Sequence, residues 1–317
     1  SLILMPIAVV LLIYTLTQGH SVANASRWIQ IPFLGWTFQT SAFASIVLMI
    51  YIARYLSKVE PEKLKSFKKT AIPLLGPIFL VCGFILPANF STAALIFTIC
   101  LVVLFIGGYP LKNLMIIIGS GIAALLLFIL LTLAFPNISN RVETWKARVS
   151  NFSEGNAEEN YQVTKAKMAI AEGMVVGKGP GKSIQKNFLP QSNSDFIYAV
   201  IVEEFGMFGG IIILLFYVMF LVRVLIISQK AESKFGMLLA AGTGFAILVQ
   251  AFVNLGVAVN LLPVTGQTLP LISAGGSSIW MTCLAIGIIL SVSRGQITED
   301  TVEAEQNPTP ENIPAHA

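Results

Sequence analysis

Eight long hydrophobic runs constrain the fold more than any other feature of this sequence. A helix needs about 20 apolar residues to cross the hydrocarbon core of a bilayer. Charged residues make up only 11% of the 317-residue chain, whereas a soluble domain carries about 25%. The runs cover residues 2–18, 38–56, 70–86, 91–108, 114–135, 196–227, 237–260 and 269–292. They predict an all-α polytopic membrane protein with about eight transmembrane helices.

The short loops between the runs predict how the helices are oriented. Lys and Arg concentrate in the cytoplasmic loops of membrane proteins. Residues 54–69 are densely basic, and Arg223 and Arg294 fall on the same side if the spans alternate. We therefore expect this side and both ends of the chain to be cytoplasmic. Residues 295–317 are rich in Glu, Thr and Pro, a composition that predicts a disordered cytoplasmic tail.

The large loop 136–195 lies on the opposite, extracytoplasmic side in this topology. Loops of this length are usually functional or disordered. Residues 161–173 have the pattern of a short amphipathic helix, and GKGPGKS follows at 177–183. This glycine-rich turn lacks the spacing and the preceding strand of a phosphate-binding P-loop. A basic segment near lipid head groups and a plain solvated loop remain the alternatives.

The composition also argues against several classes of protein. The sequence has no zinc-binding spacing and no long basic run with interleaved aromatic residues, which argues against nucleic-acid binding. The three cysteines lie in apolar runs and are expected to be small buried hydrophobes. His20 and His316 have no acids or cysteines at ligand spacing, so a histidine-based metal site is not predicted.

Acidic residues stand at the start of the sixth hydrophobic run. Asp195 lies where the large loop enters the span, and Glu203 and Glu204 lie inside it. Acids within spans are costly and often functional. Ser194 or Asp195 could serve as a helix N-cap, but the position of Asp195 beside a basic loop favours a functional role. For the two glutamates we favour structural pairing with basic side chains or backbone donors.

Two further polar clusters interrupt the hydrophobic sequence on the extracytoplasmic side. Residues 254–278 contain two prolines, several glycines and several hydroxyl groups. Broken backbone at membrane depth is tolerated where it is buried in protein or lines a wet cavity, so this segment is either a re-entrant turn or a cavity wall beside Asp195. In residues 22–32, Arg27 and Trp28 are either an interfacial anchor or a binding site for an anionic head group.

Three motifs in these clusters carry a family resemblance. RWIQI begins at Arg27, LPQSNSDFIYAVIVEEFG covers 189–206, and LPVTGQTLPLISAGGSS covers 262–278. Together they resemble the SEDS family, which includes FtsW, RodA and SpoVE, and GQTLPLIS is closest to FtsW. The resemblance extends over nearly all of residues 1–294. Because members of that family have ten spans, it implies that this chain lacks the first two.

The resemblance implies a peptidoglycan glycosyltransferase that polymerises Lipid II at the outer face of the bacterial cytoplasmic membrane during cell division. It implies a class B penicillin-binding protein and other divisome proteins as partners, and Asp195 as the catalytic acidic residue. A divalent cation held by Asp195 is an alternative, and no other cofactor is expected. The expected substrate-binding residues are Arg27, Trp28, Lys182, Lys186, Ser194, Thr265, Gln267, Ser273, Gly275, Gly276, Ser277 and Ser278. The expected supporting residues are Glu203, Glu204, Asn254, Pro263 and Pro270.

The chain departs from the family pattern in one polar stretch. Where the family has Q-P-S-E and a Lys three residues after the Glu, this sequence reads QTSAFAS at 39–45, with Ala42 for the Glu and Ser45 for the Lys. The loss of this charge pair supports an alternative interpretation as a noncatalytic divisome scaffold. A flippase or transporter of lipid-linked precursors is a second alternative, since intramembrane acids and broken helices occur in transporters.

Overall fold

Helices follow the hydrophobic runs in the computed structural model, which describes residues 3–22, 25–30, 37–134, 141–154, 159–189 and 192–306. The helices are α1 (Leu4–Gln18), α2 (Thr40–Lys58), α3 (Pro61–Lys65), α4 (Phe67–Ile85), α5 (Phe90–Ile106), α6 (Leu111–Ala134), α7 (Arg141–Glu154), α8 (Glu159–Gly173), α9 (Ile197–Gln229), α10 (Lys234–Ala258) and α11 (Gly276–Gln306). The amphipathic helix predicted within the large loop is α8, whereas α7 had no clear signal in the sequence. The helical, polytopic fold class is confirmed.

Among the described residues, six helices are long and apolar enough to cross a membrane. They are α2, α4, α6, α9, α10 and the part of α11 from Gly276 to Gly295. The helices α1 and α5 are apolar but shorter. The count of eight spans therefore stays a prediction.

Helix α10 is the centre of the bundle and packs against α2, α5, α9 and α11. The share of residues that are buried in the apolar part of the helix is 61% for α10, the highest of the candidate spans, against 17% for α9. Small side chains explain this close packing, because without them the neighbouring helices could not approach. A Cβ atom at Gly244 would lie 2.4 Å from a methyl carbon of Val224 on α9, and one at Gly242 would lie 3.2 Å from the sulfur of Met49 on α2.

A small antiparallel sheet connects α1 to α2, and the all-helical prediction missed it. Its strands are β1 (His20–Val22), β2 (Ala25–Gln30) and β3 (Thr37–Gln39), in the order β1-β2-β3. Trp28 of β2 pairs with Gln39 of β3. Strands this short carry too few alternating residues for a clear period of two, which is the signal that identifies a strand in sequence.

The C-terminal part of the chain differs from the sequence prediction in two places. The last span was expected to begin near residue 269, but residues 259–275 are irregular and α11 begins at Gly276. This irregular segment agrees with the predicted break in the backbone. The helix then continues to Gln306. The disordered tail expected for residues 295–317 stays a prediction. Residues 296–306 contain no Gly or Pro to end the helix, and 307–317 lie outside the described residues.

Candidate functional site

The turn before α9 is held in place through its backbone by the region between α10 and α11. Three consecutive carbonyl oxygens of this turn accept hydrogen bonds. These are Asn193 O from Ala274 N at 2.8 Å, Ser194 O from Ser273 Oγ at 2.5 Å, and Asp195 O from Asn254 Nδ2 at 2.8 Å. Because the turn is fixed at three successive points, the direction in which the half-buried Asp195 leaves the backbone is also fixed. Phe196 occupies the N-cap position of α9, so the predicted capping by Ser194 or Asp195 does not occur at that position.

Asn254 connects the Asp195 turn to the interior of the bundle. Its side chain is 1% exposed, and its Nδ2 also donates to Gln267 O at 2.7 Å. The Nε2 atom of Gln267 donates in turn to Thr92 Oγ1 of α5 at 2.8 Å. The buried Oδ1 of Asn254 has no hydrogen-bond partner in the described structure, so Asn254 takes part in this network through its Nδ2 atom. A continuous chain of hydrogen bonds therefore runs from Asp195 to α5.

The GGSS segment brings the N-terminal polar cluster to the same end of the bundle. Ser277 is buried, and its Oγ accepts a hydrogen bond from Gln39 N at 2.9 Å. Since Gln39 of β3 pairs with Trp28 of β2, the strand that contains Arg27 lies one strand away from Ser277. The side chain of Arg27 is outside the described part of the structure. The three motifs, far apart in sequence, therefore meet in one region.

A cavity of about 90 Å³ lies beside this region, between α2, α5, α10 and α11. Apolar side chains form most of its wall, and we call it the polar cavity for the uncharged polar side chains among them. None of the described residues that line it is ionisable. The polar and small residues of its lining are Gln39, Ser41, Ala42, Ser45, Thr92, Thr243, Gln250, Gln267, Ser278 and Thr282. Ala42 and Ser45 both face this cavity, so the charge pair of the family pattern is replaced here by uncharged side chains.

Three of the cavity residues were missed by the sequence analysis. Thr243, Gln250 and Thr282 lie within hydrophobic runs, where a single polar residue changes the average hydropathy little. Gln250 Nε2 donates to Thr268 O at 2.9 Å and thereby connects α10 to the irregular segment. Polar residues within spans usually face the bundle interior, and this was the signal that could have identified them.

The predicted glutamates contact the glycine loop, which we define as residues 174–188, and form a second cluster with it. The lysine that joins this cluster is Lys178, rather than the predicted Lys182 or Lys186. Glu203 of α9 is fully buried and receives donors from this loop. The donors are Lys178 Nζ at 2.8 Å, Ser183 Oγ at 2.5 Å, Ile184 N at 3.0 Å and Gln185 N at 3.2 Å. The glycine-rich turn thus binds a carboxylate of its own chain with the backbone donors that a phosphate loop presents to phosphate. Lys178 also pairs with Glu172, and these two carboxylates raise the pKa of the Lys178 ammonium.

Helix α9 is interrupted at Gly206, where it contacts the glycine loop. Gly206 has φ 70° and ψ −170°, which is not helical. The loop supplies hydrogen bonds to the interrupted backbone: Lys178 N donates to Glu203 O at 3.0 Å, and Met174 O accepts from Met207 N at 2.9 Å. Non-helical backbone at membrane depth needs such partners. The break therefore depends on the loop, whose residues lie about 30 positions earlier in the chain.

We expect Glu203→Gln to lower the free energy of unfolding by about 2–3 kcal/mol, because the buried cluster loses charge-assisted hydrogen bonds. The adjacent Glu204 is a matched control. It is half-buried and accepts a single described side-chain bond, from Ser183 N at 3.4 Å, so Glu204→Gln should cost less than about 1 kcal/mol. Equilibrium unfolding in mixed micelles measures both. Equal losses for the two variants would contradict a structural role for Glu203.

The remaining predicted residues have varied placements. Pro270 is buried and its carbonyl accepts a hydrogen bond from the Tyr217 hydroxyl, whereas Pro263 is half-buried. Gly275 O accepts from Ser278 N at 3.0 Å at the start of α11. The buried Oγ1 of Thr265 has no hydrogen-bond partner in the described structure. Lys182 and Lys186 do not line the polar cavity. No three His, Cys, Asp or Glu residues converge among the described residues.

Comparisons with known proteins identify the family. The chain is 33% identical over 282 residues to the "Probable peptidoglycan glycosyltransferase FtsW" of Coxiella burnetii, covering 87% of this chain and 73% of that protein. Its fold matches one chain of a peptidoglycan synthase complex, solved to describe the coordination of polymerization and crosslinking, with a TM-score of 0.71 and 25% identity over 92% of this chain and 80% of the other. The fold also matches the rod shape determining protein RodA of Thermus thermophilus, with a TM-score of 0.62 and 24% identity over 92% of this chain and 77% of the other. A family model described as a cell cycle protein, FtsW/RodA/SpoVE, matches residues 1–297. The chain belongs to this FtsW, RodA and SpoVE family.

Proposed function

We propose that this chain is a peptidoglycan glycosyltransferase that polymerises Lipid II at the outer face of the cytoplasmic membrane during cell division. The observation that carries the proposal is the triple anchoring of the Asp195 turn, which Asn254 connects to Gln267 in the cavity wall. A carboxylate held in a fixed direction at the edge of a membrane bundle is suited to act on the sugars of a substrate whose lipid remains in the bilayer. The relatives of this chain are named for the same activity.

Asp195 acts in this proposal as the general base. The 4-hydroxyl of one disaccharide attacks the anomeric carbon of a second, the bond from that carbon to the lipid pyrophosphate breaks, and the hydroxyl proton passes to the Asp195 carboxylate. The electron pair of the broken bond leaves on the pyrophosphate. Positioned proton transfer of this kind contributes about 10²–10⁴-fold to a rate.

The predicted substrate-binding residues divide into two groups in this proposal. The polar groups of Gln267, Ser273 and Ser277 already make hydrogen bonds within the protein, and they support the site rather than meet the substrate first. Ser278 lines the cavity and its Oγ donates to Gly275 O of the same turn at 2.8 Å, whereas Thr265 Oγ1 has no described partner. These two hydroxyls are the better candidates to meet sugar hydroxyls, together with the backbone at Gly275 and Gly276 and the side chains of Ser194 and Trp28.

The leaving pyrophosphate requires positive charge close to the reacting carbon. Arg27 is the candidate supported by strand pairing, because β2 reaches the GGSS segment through Gln39. Lys182 and Lys186 belong to a loop bound at Glu203, which lies about 9 Å along α9 from its first residue, Ile197. A divalent ion is a further candidate. Asp195 would supply a carboxylate ligand, with pyrophosphate and water in its coordination, since no three His, Cys, Asp or Glu residues converge among the described residues.

The proposed partners are a class B penicillin-binding protein, which crosslinks the glycan, and other divisome proteins. The similar peptidoglycan synthase complex combines polymerization with crosslinking, which supports this pairing. A division-site location follows from the greater resemblance to FtsW.

A noncatalytic scaffold is the second candidate, and the uncharged lining at Ala42 and Ser45 is the observation that favours it. A polymerisation assay with labelled Lipid II and the cognate penicillin-binding protein decides between the two. We expect the native chain to produce glycan ladders, because Asp195 and its anchoring turn are intact. Ladders only after the double change Ala42→Glu with Ser45→Lys would make the native chain a scaffold. No ladder from either form would overturn the proposed activity for this chain.

The single variant Ala42→Glu controls for the double change. We expect Ala42→Glu alone to lower the unfolding temperature in detergent, because an unpaired buried carboxylate costs several kcal/mol. Adding Ser45→Lys should restore much of that loss if the two side chains pair along α2, where they lie three residues apart. An absence of restoration would show that positions 42 and 45 do not face each other closely enough to interact.

A further inference from the structure

The glycine loop and the break in α9 expose apolar side chains together. Met174 and Val176 of the loop are each 78% exposed. Phe205, Met207 and Phe208 of α9 are also exposed. A contiguous exposed apolar patch marks a surface that is covered in the functional state. The question is what covers this one.

The length of α9 places the patch at the edge of the hydrocarbon core. Residues 207–227 alone span about 31 Å as a helix, which matches the hydrocarbon thickness of about 30 Å. The break at Gly206 therefore lies at the boundary between acyl chains and head groups. Two backbone bonds hold the loop at this level: Met207 N donates to Met174 O at 2.9 Å and Phe208 N donates to Val175 O at 3.5 Å. The patch is continuous with the exposed apolar surface of α9 below it.

Basic side chains of the same loop stand beside this patch. Lys182 is exposed, and Lys186 is half-buried with its Nζ 3.4 Å from Gly181 O. Lys178 differs from them because Glu172 and Glu203 already neutralise it. Lysines at a membrane surface attract the phosphates of anionic lipids. The loop thus combines apolar side chains for the acyl boundary with cations for the head groups.

The loop is also held rigidly enough to keep this arrangement. Glu203 binds the backbone of Ile184 and Gln185 and the hydroxyl of Ser183 from below. A segment that is ordered before binding loses less conformational entropy when it binds. Glu203 therefore fixes the loop in a form that can insert without refolding.

We propose that the glycine loop is a re-entrant segment that inserts Met174 and Val176 into the membrane, at the boundary between the acyl chains and the head groups of the nearer leaflet. Lys182 and Lys186 then bind the phosphates of anionic phospholipids. The inference does not depend on the proposed activity. A substrate pyrophosphate offers the same chemistry, but it is bonded directly to the reacting carbon. The loop is bound at Glu203, about 9 Å along α9 from the end that follows Asp195, which favours bilayer phosphates as the ligand.

Fluorescence depth measurements on the full chain in proteoliposomes test the insertion. A polarity-sensitive probe is attached at Val176→Cys, and separately at Thr164→Cys, an exposed position on α8. The exposed Cys283 is replaced by serine in both. We expect quenching by lipids with a nitroxide near the head group to be at least about twofold stronger at 176 than at 164, as for an interfacial segment. Iodide in the water should quench the two probes in the opposite order.

Vesicle composition tests the role of the lysines. Adding phosphatidylglycerol to phosphatidylcholine vesicles should increase the quenching of the probe at position 176 by nitroxide lipids, in the protein that keeps Lys182 and Lys186. This increase should be lost in Lys182→Gln with Lys186→Gln and kept in Lys167→Gln, which removes an exposed charge from α8. It should also weaken in high salt, because exposed charges are screened.

Two outcomes would overturn the inference. Equal access of iodide to positions 176 and 164 would show that the loop is not inserted. An unchanged response to phosphatidylglycerol in the double lysine variant, with a higher KM for Lipid II, would assign the lysines to the substrate. Introducing the Asp195→Asn substitution into the labelled protein separates this test from the activity. The loop should remain inserted in the membrane when polymerisation is lost.

Discussion

Asp195→Asn is expected to reduce the rate of Lipid II polymerisation by about 10²–10⁴-fold, the contribution of a positioned general base. Asparagine has the same shape as aspartate but cannot accept the proton of the attacking hydroxyl as a carboxylate does. The turn should keep its position, because Asn254 and Ser273 bind the carbonyl oxygens of Asp195 and Ser194 rather than the carboxylate. The initial rate of glycan ladder formation, with the cognate penicillin-binding protein present, measures the effect.

The specificity of this result depends on two controls. Glu232→Gln removes an exposed carboxylate in the connection between α9 and α10, at the opposite end of α9 from Asp195, and should leave the rate unchanged. The unfolding temperature of Asp195→Asn should remain close to that of the native protein. A variant that folds normally and keeps more than about a tenth of the native rate would require another general base, because the lost factor would be below the range for such a group.

The positions of the helices were predictable because the membrane imposes a simple requirement on each of them. A span must be about 20 residues long and apolar, so α2, α4, α6 and α10 begin and end within a few residues of the predicted runs. The association of the three polar motifs was predictable only through the family resemblance. No local pattern indicates that Gln39 will bond to Ser277, more than 200 residues later.

The break in α9 and the partners of Glu203 could not be predicted from local sequence. Glycine is tolerated within membrane helices, so Gly206 in a hydrophobic run gives no sign of a break. Its conformation depends on contacts with the glycine loop, which precedes it by about 30 residues. The donors to Glu203 are mainly backbone N–H groups and a serine hydroxyl, and these have no distinctive signature. The sequence predicted that Glu203 would pair with basic side chains or backbone donors, but it did not indicate which residues supply them.

Gly206→Ala is expected to destabilise the protein by more than about 4 kcal/mol, in the range of exceptional single substitutions. Two effects combine. The φ of 70° and ψ of −170° belong to a backbone region that is essentially restricted to glycine. A Cβ atom here would also lie 2.2 Å from Val175 O and 2.6 Å from Gly177 N. Both are backbone atoms already held by hydrogen bonds, Val175 O from Phe208 N of α9 and Gly177 N to Gly173 O of α8, so the clash cannot be relieved by a side-chain movement.

A matched glycine in another helix separates this effect from a general intolerance of alanine. Gly119 in α6 has no described atom within 4 Å of an added Cβ, so Gly119→Ala should be neutral or slightly stabilising through helix propensity. Gly177→Ala tests the same contact from the loop side. Gly177 has φ 84°, and a Cβ atom there would lie 2.4 Å from Gly206 N. Because both substitutions separate the same two segments, the double variant should lose less stability than the sum of the singles. Unfolding temperatures in detergent measure all four proteins. Additive losses, or a Gly206→Ala protein as stable as Gly119→Ala, would contradict the close backbone contact that interrupts α9.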